Sequence, residues 1–216
     1  MQKALKKLEQ NGVIECSTRR YYIRQEWIDE LYSFALRLKN SEQTGFEDTK
    51  VVVSESISKS DQVWKSFLKK GIARGEDAFC YWLHVWSPFF GNKEYYTLKE
   101  ILESKRLHVA SPSNTFLDRW SASALRKKGA QVKLGVEKKF EEEVFVVGDS
   151  TMRIHYPSSV LKEMDKLYAL VKDYRGIDAE LFYESIFQKE TRVTIITTES
   201  RTEAEKARKE IKALFG

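Results

Sequence analysis

The chain has 216 residues, 42% hydrophobic and 32% charged, with a net charge of +5. That balance excludes an intrinsically disordered chain, and the modest basic excess permits nucleic-acid contact without requiring it. A chain of this size buries about 70% of its unfolded surface, enough for one main domain with a small appendage. No apolar run reaches the length of a membrane span and no signal peptide is recognisable, so a cytoplasmic protein without a membrane partner is expected. Cys16 and Cys80 lack metal-ligand spacing. Few prolines and glycines with abundant Lys and Glu fit a heat-adapted protein.

Ala4, Leu5 and Leu8 share one helical face while Lys3, Lys6 and Lys7 lie on the other side or at its edge, which predicts a short amphipathic helix with a basic outer surface. Asn11-Gly12 ends it, because that pair readily takes the left-handed conformation. Val13-Ile14 and Tyr21 to Ile23 are β-like runs flanking polar Ser17 to Arg20, so a hairpin with Arg19 and Arg20 at its tip is expected. A helix that enters the major groove beside a hairpin with a basic tip is a sensible DNA-docking device.

These residues, "ALKKLEQNGVIE" followed by "RRYYI", resemble the recognition helix and wing of winged-helix transcriptional regulators, especially archaeal ones. The resemblance implies that Lys3, Lys6 and Lys7 meet phosphates or base edges and that Arg19, Arg20 and Arg24 serve the wing. The chain begins inside that pattern, without the two helices that precede the recognition helix in the family.

From Gln25 the pattern turns helical, with Trp27, Leu31, Phe34 and Leu38 at spacings of four, three and four residues. This stripe either serves a dimer interface or packs on the chain's own core. Asn40 to Thr49, polar and containing Gly45, reads as a linker. Residues 1–40 are expected to form a partial winged helix with a linking helix, and residues 50–216 an α/β effector or sensor domain.

Beyond the linker, strand-like and helix-like periods alternate. Strands are expected at Val51 to Ile57, 78–86, Val144 to Val147, Met152 to Tyr156 and in "TRVTIITT". Helices are expected at Asp61 to Lys70, 97–105, 158–174, 178–188 and Thr202 to Phe215. The stretch "RLHVASPSNTFLDRWSASALRKKGAQVKLGVE" reads as strand, helix and strand, with Lys127-Lys128-Gly129 closing the helix. Such a βαβ unit is normally parallel and right-handed. The fold class is therefore α/β, a mixed sheet covered by helices.

Catalytic patterns are missing: there is no glycine-rich phosphate loop, no G-x-S-x-G elbow and no Cys-x-x-Cys. His84, His108 and His155 stand far apart in strand-like runs and read as structural groups rather than metal ligands. The βαβ-rich part has a loose likeness to the phospholipase-D-like fold of some archaeal regulators, but the His-x-Lys followed by Asp of that fold is missing. No enzymatic activity, cofactor or metal is expected.

"FCYWLHVWSPFF" is the most unusual stretch. As a strand it points Cys80, Trp82, His84 and Trp86 to one side and Phe79, Tyr81, Leu83 and Val85 to the other. Two tryptophans flanking an imidazole can stack a flat ligand and hydrogen-bond it; the alternative is packing beneath helices, since aromatic residues in strands are usually core. The W-x-H-x-W pattern with "VVGD" at Val146 to Asp149 resembles the C-terminal part of uncharacterised archaeal winged-helix regulators, a likeness that supplies no ligand. Ser113 and Asn114, between a strand and a helix, suit an anion site or simply a helix cap. Asp149 suits either a polar pocket or a hairpin turn.

Two function classes follow. One is a DNA-binding transcriptional regulator with double-stranded DNA as partner, a homodimer whose α/β domain senses a small-molecule effector. The other is a ligand-binding or protein-interaction module without autonomous DNA binding.

Overall fold

The computed structural model describes residues 2–17, 20–24, 27, 49–85, 101, 103, 105–173, 175, 178, 180, 183–187 and 189–216. The chain divides into two compact units, Met1–Glu47 and Asp48–Gly216. No described helix is long and apolar enough to cross a membrane.

In the first unit, helix α1 (Gln2–Gln10) stops where the Asn11 N–H bonds the Lys7 carbonyl and the Gly12 N–H bonds that of Glu9. Gly12 sits at φ 70°, a left-handed conformation that costs other residues about 1–2 kcal/mol. Strands β1 (Ile14–Ser17) and β2 (Arg20–Ile23) pair antiparallel from Ile14↔Ile23 to Ser17↔Arg20. The Arg24 N–H extends this ladder to the Val13 carbonyl at 3.0 Å. Ile14 is buried, whereas Leu8, Tyr21, Tyr22 and Ile23 stay exposed, Ile23 at 57%. Leu31, Phe34 and Leu38 of the predicted stripe lie outside the described residues, as does the greater part of the predicted linker.

The second unit is built on a seven-stranded mixed sheet in the order β3-β9-β8-β7-β4-β5-β6. Its strands are β3 (Thr49–Ser54), β4 (Ala78–Tyr81), β5 (Leu107–Ser111), β6 (Gln131–Leu134), β7 (Glu143–Val147), β8 (Ser150–His155) and β9 (Val193–Glu199). β4, β5 and β6 run parallel; every other neighbouring pair is antiparallel. Helices α2 (Ile57–Ala73), α3 (Phe116–Lys127) and α4 (Ser158–Leu170) contribute Trp64, Leu68, Leu117, Leu125 and Met164 to one apolar core. Helix α5 (Arg201–Ala213) closes a smaller one with Ala204, Ala207 and Ile211 against Phe79, Tyr81, Val144 and Val146. β4 is thus covered on both sides, which is why its four residues read as one apolar run instead of an alternation. The predicted βαβ unit is β5-α3-β6, closed by Gly129 at φ 106°.

Local chemistry sets the boundaries. The hydroxyls of Ser56, Thr115 and Ser200 accept the N–H three residues on and start α2, α3 and α5. Two expectations are corrected. The strand over 78–86 ends at Tyr81, because beyond the Trp82 N–H, 2.9 Å from the Ala110 carbonyl, the backbone turns to side chains: Ser111 Oγ donates to the Leu83 carbonyl and the Val85 N–H donates to Asp118. Within the predicted helix 178–188 the described turn, Tyr183–Phe187, is π-helical.

Candidate functional site

In the first unit, Lys3, Lys6 and Lys7 are all exposed along α1, and Arg20 is exposed at the start of β2. The guanidinium of Arg24 lies over Gly12, 3.7 Å from where a Cβ would stand. Lys3, Lys6 and Lys7, with Arg20 and Arg24, are thus exposed on or beside elements held by backbone hydrogen bonds, as are Glu9 and Glu15. Arg19 lies outside the described residues.

In the second unit the polar side chains gather where the parallel strands β4 and β5 end. Asp118, in the first turn of α3, is fully buried. Its Oδ1 accepts from the Val85 N–H at 2.9 Å. Its Oδ2 accepts from the Thr115 N–H at 2.9 Å, from Thr115 Oγ1 at 2.6 Å and from Ser113 Oγ. Burial alone would raise this carboxyl, but His84 and the Ser113 and Thr115 donors outweigh it and hold Asp118 below the usual carboxylate range.

His84 stands between two carboxylates, Nδ1 3.4 Å from Asp118 Oδ1 and Nε2 2.9 Å from Oδ1 of Asp165 on α4. The Tyr168 ring packs on the imidazole with centroids 4.0 Å apart, and its hydroxyl donates to the Val85 carbonyl at 3.2 Å. Burial disfavours the charged ring, yet the carboxylates outweigh it and raise the His84 pKa.

A second buried polar group adjoins the first. Val144 pairs with Tyr81, so Glu143 stands level with Trp82. The Tyr156 hydroxyl donates to Glu143 Oε2 at 2.9 Å. On α2, Asp61 accepts from the Trp64 indole N–H at 2.9 Å and lies 3.6 Å from Lys65 Nζ, with both charged side chains under 9% exposed. Burial pushes the Tyr156 phenol well up, and the neighbouring Glu143 and Asp61 charges add to the shift.

The predicted ligand residues do not form one site. Trp82 is 1% exposed, its ring 5.6 Å from that of Trp64 and 6.4 Å from that of Phe145. It is a core residue, and its Nε1 is a buried donor without a hydrogen-bond partner among the described residues. His84 leaves the strand at a bend, and Trp86 lies outside the described residues. Ser113 is engaged with Asp118, and Asn114 is exposed beside Gly135. The cap of α3 is Thr115, neither Ser113 nor Asn114, completed by Asp118 as a reciprocal capping box. Asp149 sits in the two-residue turn between β7 and β8, at the opposite end of the sheet from His84, with its carbonyl accepting from the Ser200 N–H. His108 stacks on Phe79 at 4.6 Å, away from His84. Among the described residues no three His, Cys, Asp or Glu side chains converge on a metal position. Sequence reasoning missed Asp118, Asp165, Glu143 and Tyr156; of these only Asp118 left a local signal, the Thr-x-x-Asp of its capping box.

No protein-family model matches this sequence, and no curated protein sequence matches it. Solved structures do align with it. TrmBL2, an archaeal chromatin protein described as showing a novel mode of DNA binding, aligns at 11% identity over 99% of this chain and 79% of its own, with a TM-score of 0.45. Polyphosphate kinase from Porphyromonas gingivalis aligns at 7% identity over 78% of this chain and 24% of its own, with a TM-score of 0.49. Nuc from Salmonella typhimurium, a phospholipase D family member, aligns at 8% identity over 78% of this chain and 95% of its own, with a TM-score of 0.45. The expectation of no enzymatic activity is not upheld: a kinase and a phospholipase D family member are among the structures that align.

Proposed function

We propose that the chain is a DNA-binding transcriptional regulator of the winged-helix kind, which docks α1 in the major groove and sets the β1–β2 hairpin against neighbouring phosphates. The observation that carries this reading is the exposure of Lys3, Lys6 and Lys7 on a helix joined through Gly12 to a hairpin bearing Arg20 and Arg24. Cations on two rigid neighbouring elements neutralise adjacent phosphates better than scattered ones, because their spacing is fixed before binding. In this reading the α/β unit senses a small molecule or pairs two copies, so that its state alters the spacing of two reading heads.

The exposed Tyr21, Tyr22 and Ile23 favour a second reading, a protein-interaction module, since apolar residues grouped on a small unit suit a partner surface. Fluorescence anisotropy of a labelled duplex over a salt series separates the two. DNA reading requires affinity that falls steeply with salt. In Lys3/Lys6/Lys7→Ala the slope should shrink by about 0.9 for each phosphate left without its lysine. An absence of binding at low salt sinks this reading and leaves the interaction module.

A further inference from the structure

We propose that β3 is a docking edge for a second copy of this chain, pairing antiparallel with the same strand of that copy about a two-fold axis at Val52. The proposal rests on the reading of the α/β unit as the part that pairs two copies, and it names the surface.

The sheet leaves this edge open. Val51 on β3 stands opposite Ile196 on β9, which is followed in the same row by Arg153 on β8, Val144 on β7 and Tyr81 on β4. Side chains in such a row share one face of the sheet. Helix α5 covers the inner part of the row, packing on Tyr81 and Val144 and holding Arg153 through Glu203 at 3.3 Å. Exposure then grows outward: Ile196 is half-buried, Val51 is 42% exposed and its neighbour on the same face, Val53, is 48% exposed. Alternate residues of β3 also turn their N–H and C=O groups away from β9, and among the described residues no strand lies on that side.

A monomer ordinarily blunts such an edge with a proline, a bulge or several charges. β3 has no proline, and its register with β9 runs without a bulge from Thr49↔Thr198 to Ser54↔Val193. Its one charge is Lys50. The opposite edge is protected: β6 is four residues long, exposes no apolar side chain, and has Lys133 bonded to the Gly216 carbonyl at 3.0 Å.

The strand's own sequence selects the occupant. An axis through Val52 sets Val51 against Val53 of the other copy, and Val53 against its Val51, so the exposed valines cover one another on the open face. Lys50 then meets Ser54, and the two Lys50 residues stand about 14 Å apart along the strands, beyond the screening length of ~10 Å at 0.1 M salt. Glu55, just past the strand, is matched by Lys59 of its own chain. An axis at Val51 would break both Val51–Val53 pairs and set Lys50 against Val52. A pairing of six residues buries less than the ~800 Å² per partner of a standard stable interface, so the dimer is weak and concentration-dependent.

The test is sedimentation equilibrium of the full chain without DNA over a concentration series. The wild type should pass from monomer to dimer as concentration rises. Val51→Lys/Val53→Lys sets like charges opposite one another and should stay monomeric, with circular dichroism checking that it folds. Leu170→Lys, which alters the other exposed large apolar side chain described in this unit, should follow the wild type. The register is read by cross-linking in a Cys16→Ser background: Val51→Cys and Val53→Cys, mixed and oxidised, should give several-fold more disulfide-linked pair than either alone. A wild type that stays monomeric overturns the proposal. So does an edge variant that dimerises normally, or equal cross-linking in the mixture and in each variant alone. Because no DNA is present, the two readings fail separately. A dimer with no DNA affinity keeps the edge and sinks the regulator; DNA affinity without the dimer sinks the edge alone.

Discussion

Nε2 of His84 lies 2.9 Å from Oδ1 of Asp165, joining the bend after β4 to the middle of α4. A carboxylate only accepts, so this contact needs a proton on Nε2, and the Asp118 carboxylate on the other side of the ring favours one on Nδ1. The imidazolium serves both. Burial works against that charge, but the two carboxylates prevail and raise the folded pKa above the unfolded value of about 6.5. The resulting stability is fully present below about pH 6.5 and is lost as pH rises through the raised folded value. Melting temperature should therefore fall with rising pH more steeply in the wild type than in Asp165→Asn. By NMR, the His84 ring should titrate above about 6.5 in the wild type and lower in the variant. A wild-type ring titrating below that value removes the argument.

Asp118 bears on stability from the opposite side of the pH scale. Its folded pKa is lowered, so its contribution is present above about pH 3.9 and is lost as pH falls through the depressed value. Asp118→Ala strips acceptors from the Val85 and Thr115 N–H groups and leaves His84 without its buried counter-charge. Urea unfolding should show a loss of about 3–5 kcal/mol, against about 1 kcal/mol for Thr115→Ala, which loses the cap hydroxyl. Equal losses in the two variants would reduce Asp118 to a cap.

Gly71 permits the closest approach of α2 to the sheet. A Cβ there would stand 1.7 Å from Cγ1 and 2.9 Å from Cβ of Val147, so Gly71→Ala should destabilise by about 1–3 kcal/mol or more through overpacking. Combining it with Val147→Ala should cost less than the sum of the two single changes, because one vacates what the other fills. Additive losses would place the clash elsewhere.

Tyr156→Phe removes a donor from a carboxylate that is 1% exposed, while leaving the ring in place. The expected loss is about 1.5–3 kcal/mol, the range for hydrogen bonds to charged groups. A change within a few tenths would mean that Glu143 rests on its other neighbours.

Elements that follow from local periodicity were legible in the sequence: α1 with its glycine stop, the β1–β2 hairpin, and β5-α3-β6 with Gly129 at the helix end. Residues whose roles arise across the chain were not. Asp118 announces itself as a cap three residues after Thr115, but its bond to the Val85 N–H spans 33 positions and carries no periodic signal. Asp165 is 71% exposed at its side chain and looks like any solvated helix residue. The apolar run after Ala78 suggests a strand through Trp86; its end depends on Ser111 and Asp118, which meet the backbone only after folding. Burial of Trp82 under Trp64 is likewise a matter of which helix covers which face.

The pairing of β3 with β9 sets an order on synthesis. Among the described residues β3 forms the sheet's edge and bonds only to β9, Ser54 opposite Val193 and Thr49 opposite Thr198. Both strands cannot be available until nearly the whole chain has emerged, which at about 5–20 residues per second leaves β3 without its partner for on the order of 10 s. During that interval Val51, Val52 and Val53 form an unpaired β-branched segment, the kind that seeks any open strand edge. A nascent chain therefore carries this unpaired edge until β9 is synthesised.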